Sequence, residues 1–334
     1  MAAGEEVIIE QRVPGPDTGW PSLLDRAPFL VACAMLIVLV ATYASFREGV
    51  FSLDELNQDT AAAMTLILAA TGQTIVLLRG GIDLSIGGMI SLGTVLAATR
   101  FGEDSLTTIV YAALIVGLGS LVGVVNGVLI TVLRLQPFLV TLATWSILSG
   151  MALLVLPTDG GTLPHGWMAF GSASWLGISS SVWLLVVLFA FWCWFKRTPL
   201  GLAIRATGSN ERSAFLSGVS PLGINIATYG LSGIFAALAA LYLTTQTGTG
   251  LPTIGKDYIL PSVAAAVIGG ISLFGGRGGL SGTIIGAYIL TIIGNLVFVL
   301  SVSSYWQPIA SGVILLVAVL ASSIAEKSSR RSQA

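Results

Sequence analysis

Charge is scarce along this chain. Lys, Arg, Asp and Glu make up 9% of its 334 residues, while 54% are hydrophobic. Soluble domains carry about 25% charged residues. A water-facing shell cannot be built from so few charges, so most of the surface must face something else. A mean hydropathy of +0.91 points the same way. The net charge of −1 gives no basis for nucleic-acid binding. Glycine, 40 residues of 334, is well above the usual level of about 7% and suits helices packed closely in lipid.

A bilayer requires about 20 mainly apolar residues per helix, and backbone groups inside it must be satisfied within the segment. The chain is therefore expected to be all-α: a polytopic membrane bundle of about ten helices. The candidate spans run roughly 27–46, 60–78, 86–100, 105–133, 137–156, 181–195, 223–246, 260–274, 280–300 and 307–325. The acidic stretch 1–26 reads as a flexible tail, 27–325 as the membrane domain and 326–334 as a second tail. No cleaved signal is expected, because acids precede a long apolar run. With both termini placed in the cytoplasm, twelve Lys and Arg fall inside and only Arg47, Arg100 and Lys256 outside. That bias sets the orientation. The longest outer loop, about 157–180, has no Lys or Arg and carries Trp167 and Trp175, expected as interfacial anchors.

The sequence contains no Walker-type phosphate loop, no nucleophile elbow and no metal-ligand spacing. His165 stands alone, and Cys33 and Cys193 lie in apolar runs. An enzyme is therefore not expected, and no cofactor or metal is expected on this chain. Carriers driven by ions need ionisable groups inside the membrane. Within the candidate spans Asp83 is the exception, set in Arg79-Gly80-Gly81-Ile82-Asp83-Leu84-Ser85-Ile86-Gly87-Gly88. Glycine pairs on both sides interrupt helix propensity. Asp83 can cap the helix that starts near Leu84, act in a gate, or do both. Gln73, Asn126, Asn225 and Asn295 can touch a passing hydroxylated solute or simply bond neighbouring helices. Gly119, Gly123 and Gly127, and later Gly278, Gly282 and Gly286, recur every fourth residue. Such stripes allow close helix crossing, either within the bundle or at a subunit interface.

Between the sixth and seventh spans lies a segment of about 198–220 that includes Arg205, Gly208, Asn210, Glu211, Arg212, Ala214, Ser217 and Gly218. Asn210 is placed to cap a short helix over 211–217, ended by Gly218. Glu211 and Arg212 mix there with Ala214, Phe215 and Leu216. A helix of this kind can lie on a membrane or dock into a partner's groove.

Four motifs carry a resemblance. Gly80-Gly81-Ile82-Asp83-Leu84-Ser85-Ile86-Gly87 resembles the signature of the ribose/xylose/galactose-type permeases of ABC importers. Gly208, Asn210, Ala214, Ser217, Gly218 and Val219 match their docking pattern. Asn126-Gly127 with Arg134, Pro137-Phe138 and Thr141-Leu142 is similar to a third stretch, and Ala265 to Gly278 to a second Gly-rich signature. Together they cover about 60–290, in the family's order. Arg79, Ser213 and Ile259-Leu260-Pro261 depart from the family pattern, the last at a place bearing on substrate identity.

The resemblance implies a non-catalytic permease subunit in the bacterial inner membrane that imports a monosaccharide or polyol. It implies a second permease subunit, identical or paralogous, together with cytoplasmic ATP-binding subunits that use ATP-Mg and a periplasmic sugar-binding protein. Asp83, Ser85, Gln73, Asn126, Phe138 and Asn295 become candidates for the translocation path or its gate, and the segment about 198–220 becomes the ATPase-docking site. A weak echo of Gly80-Gly81-Ile82-x-Leu84 appears at Gly269-Gly270-Ile271-x-Leu273. The alternative is a stand-alone secondary carrier or channel for a small polar solute.

Overall fold

In the computed structural model the described residues are 23–301, with a few further positions between 303 and 316. Apolar runs that must satisfy their own backbone fold as helices. The bundle is built from α1 (Leu23–Phe46), α2 (Leu53–Arg79), α3 (Ser85–Arg100), α4 (Ser105–Val132), α5 (Pro137–Val155), α6 (His165–Ser172), α7 (Ser180–Phe195), α8 (Pro199–Ser209), α9 (Glu211–Leu216), α10 (Pro221–Thr247), α11 (Lys256–Ile268) and α12 (Leu280–Val299). A two-residue hairpin, β1 (Ser174–Trp175) with β2 (Ile178–Ser179), precedes α7.

Six of these helices, α1, α2, α4, α5, α10 and α12, are long and apolar enough to cross a bilayer. The pair α7 and α8, bent by 73° at residues 196–198, makes a seventh crossing if counted together. At 16 and 13 residues, α3 and α11 are short for a span. α3 is buried over most of its length and α11 from Ser262 to Ile268, whereas Lys256, Asp257 and Leu260 at the start of α11 are exposed. The first nine expected spans each overlap one of these helices; of the tenth, 307–325, only 309, 312, 313 and 316 are described, and residues 1–22 of the expected first tail and the whole tail 326–334 lie outside the described residues.

Burial separates the inner helices from the outer ones. In α2 89% of the apolar window is buried and in α10 72%, against 33% in α4, 22% in α5 and 11% in α1. The apolar surface left on α1, α4 and α5 is what a helix facing lipid presents. α10 packs along α4, α2 and α3; α3 lies on α5; α11 and α12 pair and close against α2. The α4–α10 crossing depends on glycine. A Cβ at Gly123 would collide with the Tyr229 carbonyl, and one at Gly119 with that of Gly233. The first glycine stripe therefore serves packing within the subunit.

Several expectations are corrected. Gly278 is on no helix: it lies in the turn before α12 with φ +107°, so the second stripe reduces to Gly282, against Gly269, and Gly286, against Ala265. The span drawn over 260–274 ends at Ile268, because Gly269 and Gly270 terminate the helix. In addition, Trp167 stacks edge-on to Phe101 at 5.0 Å and donates its indole N–H to Thr244 Oγ1 at 3.0 Å. Trp175 is exposed. Finally, α2 starts earlier than expected and brings Glu55 and Asp59 into the bundle, so Asp83 is not the lone acid there. Buried Glu55 pairs with Arg47 at 2.7 Å and accepts the Tyr43 hydroxyl at 2.7 Å.

Candidate functional site

The α2–α3 connection begins with a helix end set by glycine. Gly80 takes φ +90°; its N–H bonds the Leu77 carbonyl, and the Gly81 N–H reaches back to that of Val76. This is the Schellman arrangement, which needs a left-handed residue at the position Gly80 fills. The echo at Gly269-Gly270 has the same geometry: Gly270 has φ +89°, its N–H bonds the Val267 carbonyl, and the Ile271 N–H reaches Ala266. The two helix stops share a turn type but sit one residue out of register with the sequence echo, because Gly270 and not Gly269 takes the role of Gly80.

Past Gly81 the chain brings Asp83 into the bundle, 1% exposed. One carboxylate oxygen accepts both the backbone N–H of Ser85, at 2.9 Å, and the Ser85 hydroxyl. The other accepts the Ser232 hydroxyl of α10 at 2.7 Å. Asn126 of α4 donates its amide to Ser85 Oγ at 3.0 Å and accepts the Thr144 hydroxyl of α5 at 2.6 Å. The Thr141 hydroxyl approaches the Ile82 carbonyl at 3.3 Å. One polar knot therefore joins α3, α4, α5, α10 and the α2–α3 connection. No cation pairs with Asp83 among the described residues; hydroxyl and amide donors satisfy it instead. Buried polar groups of this kind are costly unless fully bonded, so a satisfied knot sets a specific packing. Asp83 accepts the Ser85 N–H but is not the helix cap: it precedes Leu84, the N-cap residue, whose side chain makes no capping bond.

The other candidates scatter. Gln73 is fully buried on α2, and neither end of its amide has a hydrogen-bond partner among the described residues. Asn295 donates to Asp59 at 2.7 Å, and Asn225 to Thr131 Oγ1 at 2.9 Å; each bonds a neighbouring helix and neither side chain bonds the knot. Phe138 sits at the start of α5, and its side chain is 48% exposed.

The segment about 198–220 forms two helices where one was expected. Thr198 caps α8 by accepting the Gly201 N–H at 3.1 Å, with Pro199 in the first turn. Asn210 caps α9 by accepting the Ser213 N–H at 2.9 Å, and Gly218 follows its end with φ +85°. Ala214 is buried; Arg212, Phe215, Leu216, Ser217 and Gly218 are exposed. Gly208 lies against the Leu78 carbonyl and Gly276, so a Cβ there would strike α2's last turn. Arg205 donates to the Gly278 carbonyl at 3.0 Å, and partial burial lowers its pKa from the ordinary arginine value. Arg79, at the end of α2, pairs with Glu211 at 3.0 Å.

Ser232, Thr144, Tyr229 and Arg79 were not anticipated as site residues. Ser232 lies 149 residues from Asp83 in an ordinary apolar helix, and no linear spacing marks it. Tyr229 is buried with its hydroxyl against Gly81. Among the described residues no group of His, Cys, Asp or Glu is arranged to hold a metal.

The family described as branched-chain amino acid transport system / permease component matches residues 57–319. The ribose import permease protein RbsC of Haemophilus influenzae is 34% identical over 307 residues, covering 90% of this chain and 93% of that protein. RbsC of Bacillus subtilis is 36% identical over 301 residues, 88% of this chain and 91% of that one. The autoinducer 2 import system permease protein LsrC of Shigella flexneri is 32% identical over 293 residues, covering 86% and 84%. No solved structure matches the chain.

Proposed function

The chain belongs to this permease family and is a non-catalytic membrane subunit of a sugar ABC importer, and from that premise we propose that it carries a pentose-sized monosaccharide, D-ribose first among candidates. The observation that supports the reading is likeness over nearly the whole length of ribose permeases. The relative named for autoinducer 2 keeps a second small solute in view.

The full arrangement has ten spans, both termini in the cytoplasm of a bacterial cell, and residues 198–220 on the cytoplasmic face. The excess of Lys and Arg on one side supports it. Two copies, or one copy with a paralogue, line the path. A binding protein delivers the sugar at the opposite face, and partner subunits bind and hydrolyse ATP-Mg. The exposed face of α9, with Arg212, Phe215 and Leu216, supplies the apolar and cationic contact for the ATPase. Asn210, Ala214, Ser217 and Gly218 shape that helix rather than touch the partner.

Asp83, Ser85 and Asn126 act as a hub that moves α3, α4 and α10 together between outward and inward states; their burial supports a gate role over direct sugar contact. Gln73, with an unused donor and acceptor, is the better candidate for meeting a sugar hydroxyl once the helices part. The test is a panel of D-ribose, D-xylose, D-galactose, autoinducer 2 and leucine. Calorimetry on the partner binding protein is followed by ATP-dependent uptake in the complete complex. Ribose saturating both steps supports the reading; leucine binding with no sugar binding refutes it.

A further inference from the structure

Two Gly-rich turns and the helix pair α8–α9 converge on one point. Gly276 N–H bonds the Leu78 carbonyl at 2.9 Å. Gly275, with φ +90°, leaves no room for a side chain between the Gly208 carbonyl and the Gly80 amide. Gly208 itself touches α2's last turn. Backbone thus lies against backbone at a place where three segments could slide. Besides the Gly276–Leu78 backbone bond, two side-chain contacts among the described residues hold these segments together: Arg205 to the Gly278 carbonyl and Arg79 to Glu211.

The second contact has a direction. Arg79 is the last residue of α2, with 14% of its side chain exposed, and Glu211 is the first residue of α9, with 55% exposed. Four residues beyond Arg79 is Asp83, the centre of the knot that reaches Ser232, Ser85, Asn126 and Thr144. Between them, Tyr229 of α10 presses on Gly81, so the connection has little slack.

We propose that Arg79 is a positioning residue for transport: with Glu211 it forms an internal joint that conveys motion of the docking helix to the Asp83 knot. Glu211 is then turned toward its own chain, and ATPase contact falls to Arg212, Phe215 and Leu216. The proposal rests on the importer reading. It adds a basic residue at the end of α2, matched by an acid on a helix 132 residues away in sequence.

The test uses the complete complex in lipid nanodiscs, reading both ATPase copurification and stimulation of ATP hydrolysis by the loaded binding protein. Wild-type assembly reports on the importer reading alone. R79Q and E211Q should each leave copurification intact and lower stimulation at least threefold, and R79K should recover most of it. Because the pair acts as one unit, R79Q/E211Q should be no worse than the worse single variant. Effects that multiply, or E211Q losing the ATPase while R79Q retains it, overturn the joint. A second measurement needs no partner. In the chain alone, R79Q should speed amide hydrogen exchange across 211–218 at least threefold, and unchanged exchange overturns the proposal.

Discussion

Replacing Asp83 in two ways separates a satisfied polar knot from a simple space-filling contact. Asp83→Ala removes the acceptor of three bonds: from Ser85 N–H, Ser85 hydroxyl and Ser232 hydroxyl. At about 0.5–1.5 kcal/mol each, the loss is roughly 1.5–4.5 kcal/mol, with buried donors left unpaired. Asp83→Asn preserves the shape. Its amide oxygen keeps both bonds from Ser85, and its NH2 donates to Ser232 Oγ, whose own hydrogen turns away. No cation partners Asp83 among the described residues, so loss of the charge breaks no ion pair. The asparagine variant should therefore lie within about 1 kcal/mol of wild type. Equilibrium unfolding in a fixed detergent, followed by tryptophan fluorescence, gives both values. Equal destabilisation by the two variants would mean that charge itself, or a partner absent from this account, holds the site. Alanine as stable as wild type would mean the knot holds nothing.

The remaining predictions follow from single contacts. Gly123→Ala should cost about 1–3 kcal/mol by forcing α4 from α10, whereas Gly117→Ala, facing open space, should gain up to about 1 kcal/mol; the same unfolding assay compares them. Glu55→Gln should destabilise by about 1–3 kcal/mol through loss of the Arg47 pair and a weaker bond to Tyr43, with less effect in high salt only if Arg47 is hydrated in its place. Asn210→Ala should cost about 0.5–2 kcal/mol of α9 stability, visible as faster exchange at 211–217. Asp104 caps α4, and the Thr107 N–H and hydroxyl hold its carboxyl below the ordinary carboxylate value. Its stabilisation is present above that ordinary value and disappears as pH falls through the lowered one. The start of α4 should therefore fray in acid, and Asp104→Ala should remove the pH dependence of exchange there.

Much of the bundle was legible because lipid leaves the chain few options: an apolar run of sufficient length must become a helix. Asn210 and Gly218 bounded α9 for equally local reasons, side-chain capping and a left-handed turn. α8 was missed because Gly201 and Gly208 lower its helix propensity; tertiary packing requires them, against Phe195 and Leu78 respectively. Asp83 was visible as an acid between glycines, but the hydroxyls that satisfy it come from α3 and α10, and Ser232 carries no pattern that predicts its partner. Glu55 was overlooked for another reason. The hydropathy boundary at residue 60 excluded the first turns of α2, although Arg47 makes a buried acid tolerable there.

The central claim is that this bundle moves sugar only with work supplied by another subunit. Reconstitute the chain alone in liposomes, and in parallel with its ATPase subunits, binding protein and ATP-Mg, and follow labelled D-ribose under proton and sodium gradients. The account predicts accumulation above the external concentration only in the complete, ATP-supplied vesicles. Accumulation by the chain alone under either gradient would contradict it.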